Sequence, residues 1–146
     1  MSESFSVVFF LKKSYNDFMN FYQSIDVLIV DDMISSGGTM VDVAKSLKKR
    51  GAKRVFCFAS FGLFTGGLEK FDVANEFGII DKVFTTDLIH HPDGLVEKPW
   101  YKEVKLAKYV ALIIDTLNHN ASMDPLLAPY ERIANKVAEY KEAQKK

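Results

Sequence analysis

The sequence predicts an α/β fold: an open, mostly parallel sheet with flanking helices. Three observations carry that expectation. Val27-Leu28-Ile29-Val30 and the nearly all-apolar stretch 54–61 are too continuous for strands wetted on one face, and suit parallel strands covered on both. Between them, Met40, Val43, Ala44 and Leu47 recur at helical spacing, with Asp42, Lys45, Lys48 and Lys49 on the other side. Strand, helix, strand in this order is a βαβ unit with the right-handed crossover. Finally, three polar or Gly-rich loops (31–39, 60–67 and 85–87) each follow an apolar strand. All three should open on one edge, where open α/β sheets bind ligands.

Residues 1–25 read as a poorly defined leader, and 26–146 as one domain. Within the leader, 6–11 has strand character, and 14–23 suits a short helix with Tyr15, Phe18 and Phe21 or Tyr22 on one side. No Gly or Pro punctuates the chain before Gly37. The first well-marked strand spans 26–31, so Asp31 and Asp32 stand where the chain leaves the core. A helix follows over 38–50. Thr39 is placed to cap it, Gly51 to end it, and Lys48, Lys49 and Arg50 to complement its dipole. A strand over 54–61 leads to a helix over 68–77 with Leu68, Phe71, Ala74 and Phe77 on one face, stopped by Gly78. A short strand, 82–86, precedes a loop over 90–99 marked by His90-His91-Pro92-Asp93-Gly94 and Lys98-Pro99. Alternation over 101–106 predicts a half-exposed strand; a largely apolar helix over 107–118 and a final helix over 129–142 complete the chain.

The composition limits the function. With 146 residues the chain is about one domain, and 48% hydrophobic content supports a core. Lys plus Arg and Asp plus Glu are both 19, so nothing points to nucleic acid or an anionic membrane as a partner. The lone Cys57 excludes an intrachain disulfide framework and fits a reducing cytoplasm. No apolar run is long enough to span a bilayer. Twelve Phe are many for this length, and Phe5, Phe9, Phe10, Phe18 and Phe21 fall outside evident core positions. Such aromatics suggest a further domain or a second subunit.

The chemistry concentrates in Asp31-Asp32-Met33-Ile34-Ser35-Ser36-Gly37-Gly38-Thr39. Ser35, Ser36 and Thr39 offer hydroxyls, and Gly37 and Gly38 let an anion approach the backbone. The helix start adds backbone N–H groups and partial positive charge. No Lys follows the glycines, so this is not a Walker A loop. Asp31 and Asp32 can accept hydrogen bonds from a polyol or bind a metal, and a phosphorylated sugar satisfies acids and loop together. The plain alternative is a strand end with an Asp turn and a helix cap. Gly66-Gly67 equally suits a tight turn, Thr85-Thr86-Asp87 a strand end, and Lys12-Lys13 a solvated pair. His90-His91 lacks partners at zinc-like spacing, which favours a loop role.

The segment Val30 to Thr39 resembles the signature loop of the type I phosphoribosyltransferase fold. Ala59-Ser60-Phe61-Gly62-Leu63-Phe64-Thr65-Gly66-Gly67, Val83-Phe84-Thr85-Thr86-Asp87 and the helix Ala111 to His119 followed by Leu126-Leu127 are similar to segments of ribose-phosphate pyrophosphokinases. The resemblance implies formation of phosphoribosyl pyrophosphate from ATP and ribose 5-phosphate with magnesium. It implies that Asp31 and Asp32 hold the ribose hydroxyls, and that Ser35, Ser36, Gly37, Gly38 and Thr39 hold the 5-phosphate. Lys12-Lys13 stands where the family's catalytic flexible loop carries Lys-Arg. Family members have two similar halves, and the chain resembles the second. It is therefore expected to be incomplete alone, and to form a homo-oligomer or pair with an N-terminal half. Ser60-Phe61 departs from the family's Thr-His. Two other activities fit the same loop: a phosphoribosyltransferase acting on a nucleobase, and a non-catalytic regulatory or binding subunit of a synthetase.

Overall fold

The fold is that of a computed structural model, which describes residues 7–11 and 25–143, with residues 7–11 and Arg132 described by their backbone alone. The chain forms two compact units, Met1–Leu106 and Ala107–Lys146. The first holds a five-stranded sheet: β1 (Val7–Leu11), β2 (Asp26–Ile34), β3 (Arg54–Gly62), β4 (Lys82–Thr86) and β5 (Tyr101–Val104), in the order β1-β2-β3-β4-β5. β1 pairs antiparallel with β2, and all later pairs are parallel. Strand β1 lies within the leader, so that stretch contributes an edge to the sheet. The short helix expected over 14–23 lies outside the described residues.

Helix α1 (Gly38–Lys49) connects β2 to β3, and α2 (Glu69–Glu76) connects β3 to β4. Parallel register aligns Ile29, Cys57, Val83 and Tyr101 in one row, all buried. Residues opposite one another in adjacent strands share a face, and this face packs with Met40, Val41, Ala44 and Leu47 of α1 and Phe71 and Ala74 of α2 in the core. The other face carries Leu28, Val30, Phe56, Phe58 and Phe84, which are only half-buried. The continuous apolar runs therefore mark one fully buried face and one partly covered face, rather than equal burial on both.

Two strands outrun their expected ends. β2 continues through Met33 and Ile34 because these pair with Phe61 and Gly62 of β3, so Asp31 and Asp32 lie inside the strand. Correspondingly, Ser60, Phe61 and Gly62 belong to β3 rather than to the following loop. β5 is shorter than 101–106.

Helix α1 ends in a left-handed Gly51, φ 93°, with Lys48 and Lys49 in its last turn. Lys48 Nζ donates to Lys53 O at 2.7 Å and reaches Asp81 Oδ2 at 3.5 Å. Asp81 Oδ2 also accepts from Val55 N–H at 2.9 Å, which ties the helix end to the start of β3.

The second unit comprises α3 (Ala107–Asn118), α4 (Asp124–Leu127) and α5 (Tyr130–Ala143). Within it, Tyr109 OH donates to Leu126 O. α4 has no counterpart among the sequence expectations. Its four residues are too few for a periodic pattern, and Pro125 is its only local mark. No helix among the described residues is long and apolar enough to cross a membrane.

Candidate functional site

Because β2 to β5 run parallel, the turns after β2, β3 and β4 open on one edge of the sheet. β2 delivers the two acids there. Successive strand residues face opposite sides. Asp31, on the α1 side, is 9% exposed, whereas Asp32 is exposed to solvent. Asp31 Oδ1 accepts the Asp32 N–H at 2.9 Å, which fixes that carboxylate at the base of the turn. The two carboxylates thus offer a pair of unequal acceptors, one seated in protein and one presented to water.

Ser35, Ser36 and Gly37 form the turn into α1. Gly37, not Thr39, is the cap: it is left-handed at φ 76°, ψ −4°, and the helix has no side-chain cap hydrogen bond. Thr39 already lies inside α1, so its hydroxyl is on the helix surface rather than beneath the start. The first backbone bond closing α1 runs from Val41 N–H to Gly37 O at 3.1 Å. The N–H groups of Gly38, Thr39 and Met40 precede it, as the leading donors of any α-helix do. Ser35, Ser36 and Thr39 are exposed. The Ser35 and Ser36 hydroxyls thus precede the leading N–H groups and the positive end of a 12-residue helix, in the turn that follows Asp31 and Asp32 in the chain.

The second loop braces the first. Leu63 N–H and Phe64 N–H both donate to Ile34 O, at 2.9 and 3.3 Å, and Thr65 N–H donates to Ser35 O at 3.0 Å. Gly66 lies against Ser36: a Cβ there would stand 3.1 Å from Ser36 O. Gly67, φ 79°, closes a tight turn through its N–H to Phe64 O at 3.0 Å. Gly66-Gly67 thus serves as a turn laid on the first loop.

The third strand end holds a polar network that single-sequence reasoning missed. Thr85 is fully buried, and its Oγ1 lies 2.7 Å from Tyr101 OH and 3.3 Å from His91 Nε2. His91 Nε2 is also 3.0 Å from Thr86 O, and its Nδ1 is 3.3 Å from Glu103 Oε1. Burial, with the Glu103 and Asp87 carboxylates nearby, pushes the Tyr101 phenol above its ordinary range, partly opposed by the Thr85 hydrogen bond. Thr86 Oγ1 donates to Ser60 O at 2.5 Å, and Asp87 Oδ1 accepts Leu106 N–H at 2.7 Å. His91 and Thr85 thus lock the β4 end to β5. The sequence signal was the His-His pair, whose buried member only the fold identifies.

The structure brings Asp31, Asp32, Ser35, Ser36, Gly37, Gly38 and Thr39 together around one turn. Lys12 and Lys13 lie outside the described residues. Among the described residues no group of three His, Cys, Asp or Glu is placed to hold a metal ion.

Comparison with known proteins agrees with this architecture. A family described as phosphoribosyl synthetase-associated domain matches residues 23–128. A ribose-phosphate pyrophosphokinase from Mycoplasmopsis pulmonis is 34% identical over 105 residues, 72% of this chain and 32% of the relative. One from Vibrio vulnificus (strain YJ016) is 47% identical over 64 residues, 44% of this chain and 19% of its own. The chain spans about a third of the length of the first of these relatives. A crystal structure of phosphoribosylpyrophosphate synthetase from Mycobacterium smegmatis shares the fold, with a TM-score of 0.60 and 24% identity over 68% of this chain and 32% of that one. With most of its length, both acids and the whole first loop inside the matched span, the chain belongs to the phosphoribosyl synthetase-associated domain family.

Proposed function

We propose that this chain is the sugar-phosphate-binding part of a ribose-phosphate pyrophosphokinase, corresponding to its C-terminal half and built on a type I phosphoribosyltransferase-like sheet. The observation that carries the reading is the β2–α1 turn. A seated and an exposed carboxylate stand below a left-handed glycine that opens a helix without a side-chain cap. Asp31 and Asp32 accept the ribose 2′ and 3′ hydroxyls. Ser35, Ser36, Gly37, Gly38 and Thr39 enclose the 5-phosphate through hydroxyls and backbone N–H groups.

In the reaction the sugar 1-hydroxyl attacks the β-phosphorus of ATP, and AMP leaves. This chain's contribution is to bind and orient the acceptor, which lowers the entropic part of the barrier. Magnesium neutralises the polyphosphate when bound. The donor set suits such a visiting ion, since magnesium keeps several waters and needs only one or two carboxylates, and Asp31-Asp32 supply hard oxygens without forming a closed cage. Lys12-Lys13, placed like the family's Lys-Arg pair, is the proposed cationic contribution to the transferred group. The ATP contacts are left to another half or another subunit, working in the cytoplasm.

Calorimetry with ribose 5-phosphate tests the binding role. Wild type should bind, and Asp31→Asn combined with Asp32→Asn should weaken binding at least about tenfold while circular dichroism stays unchanged. Equal binding by both proteins would refute the site. Ser60-Phe61, which stands where the family carries Thr-His, favours a second reading, a non-catalytic binding or regulatory subunit of a synthetase. Co-purification with a full-length synthetase, together with sugar-phosphate binding and no turnover, would support it.

A further inference from the structure

The first loop's shape depends on a side chain far outside it in sequence. A Cβ on Gly37 would fall 2.3 Å from Phe71 Cε2 and 2.5 Å from its Cζ, so the Gly37 backbone rests directly on the edge of that ring. The far end of a side chain can usually swing away, but this ring is held. Phe71 is 1% exposed and stacks on Trp100 with centroids 5.4 Å apart at 25°. Phe64 meets it edge-on at 5.3 Å and 76°.

The supports are themselves fixed. Trp100 Nε1 donates to Asp72 Oδ1 at 2.7 Å, and Lys98 Nζ to Asp72 Oδ2 at 2.7 Å, so Trp100 is tied to the helix that carries Phe71. Phe64 occupies φ 48°, a left-handed conformation costly for a residue with a Cβ. It is 3% exposed there, and its own N–H reaches Ile34 O. Backbone strain of this kind persists only where surrounding packing over-determines it.

We infer that Phe71 is a positioning residue for the sugar-phosphate loop, its ring serving as the floor that sets the left-handed Gly37 and thereby aims the N–H groups of Gly38, Thr39 and Met40. The inference rests on the reading of that loop as the sugar-phosphate site. It makes the aromatic block Phe64–Phe71–Trp100 part of the binding apparatus without touching ligand. A phosphate held by several N–H groups at once is sensitive to sub-ångström displacement of any of them.

The test uses the full chain and three variants: Phe71→Leu, Gly37→Ala and the double. Leu lacks the ring atoms that a Gly37 Cβ would meet, so it removes the floor while keeping an apolar side chain. Two readouts are taken: ribose 5-phosphate affinity by calorimetry, and amide hydrogen exchange of residues 35–40 without ligand, with β3 as internal control. Phe71→Leu should bind about tenfold more weakly and exchange faster at 35–40, with β3 unchanged. Gly37→Ala should lose more. In the double variant the alanine should lower affinity by a smaller factor than in wild type, because the clash is gone and only the φ penalty remains.

Wild-type affinity and exchange in Phe71→Leu, strictly additive effects in the double, or an equal rise in β3 exchange would each overturn the inference. Absence of sugar-phosphate binding by wild type would instead overturn the functional reading, and the exchange measurement would still decide the positioning role. If Phe71→Leu fails to fold, Trp100→Phe substitutes for it. That change keeps a ring in the stack but cuts the Asp72 tether, so 35–40 should exchange faster with β3 unchanged; no change there would overturn the inference.

Discussion

Cys57 has no partner in chemistry and a complete one in packing. Its side chain sits in the buried row between Ile29 and Val83, and burial pushes its thiol up to about 12. An unfolded thiol ionises near about 8.5. Between those values the unfolded chain releases a proton that the folded chain keeps, so stability is full below about pH 8.5 and falls as pH rises, by up to about 1.4 kcal/mol per pH unit. A thiol-reactive dye at pH 8 should leave the native protein unlabelled and label one site per chain in concentrated urea. Fast native labelling would show that the core row is open. At this scale the sequence was informative where chemistry is local: an isolated Cys in an apolar strand reads as inert core. The unequal burial of Asp31 and Asp32 was also implicit, since adjacent strand residues must face opposite ways. It was obscured by ending the strand at Asp31, which left Asp32 to the loop.

Elements show where local reading stops. The helix expected at 107–118 is α3, and the strand at 82–86 is β4, because apolar patterning and flanking breakers agreed there. Thr39 lost the cap because α1 starts from Gly37, a left-handed residue that lies against Phe71 on a different helix. The extra residues of β2 and β3 are a pairing between Met33-Ile34 and Phe61-Gly62, and no single strand encodes its partner. α2 depends equally on distant residues. The Lys98 and Trp100 hydrogen bonds hold the Asp72 carboxyl below the usual carboxylate range. The folded value being depressed, this stabilisation is present above about pH 4 and is lost as pH falls through the folded value. Asp72→Asn should lower stability at neutral pH by about 1 kcal/mol, the size of a screened, partly exposed hydrogen-bonded pair. In urea titrations at decreasing pH, the gap to wild type should close below about pH 4. A gap of constant size would assign the loss to packing rather than charge.

At the scale of the whole molecule, the loops after β2, β3 and β4 open on one sheet edge, and the sequence pointed to all three because each follows an apolar strand, although each begins later than expected. Buttressing of the first loop by the second was not legible, since Gly-rich turns look alike whether they hold a ligand or another turn. The proposed division of labour predicts a separation of binding from turnover. The full chain should bind ribose 5-phosphate, yet with ATP and magnesium give no AMP above background in a coupled assay. Robust turnover would mean that this chain carries its own ATP contacts. The sheet also has a property that bears on how the protein reaches its native state. Its strand order repeats the chain order, β1 to β5, so each strand pairs with the one made just before it. Among the described residues, no strand has to be inserted between two others already joined. Each parallel pairing still joins residues far apart in sequence, such as Val27 with Val55 and Phe56 with Lys82, so every strand must wait for the crossover before it, and the order spares the chain insertion but not the slow closure of parallel pairs.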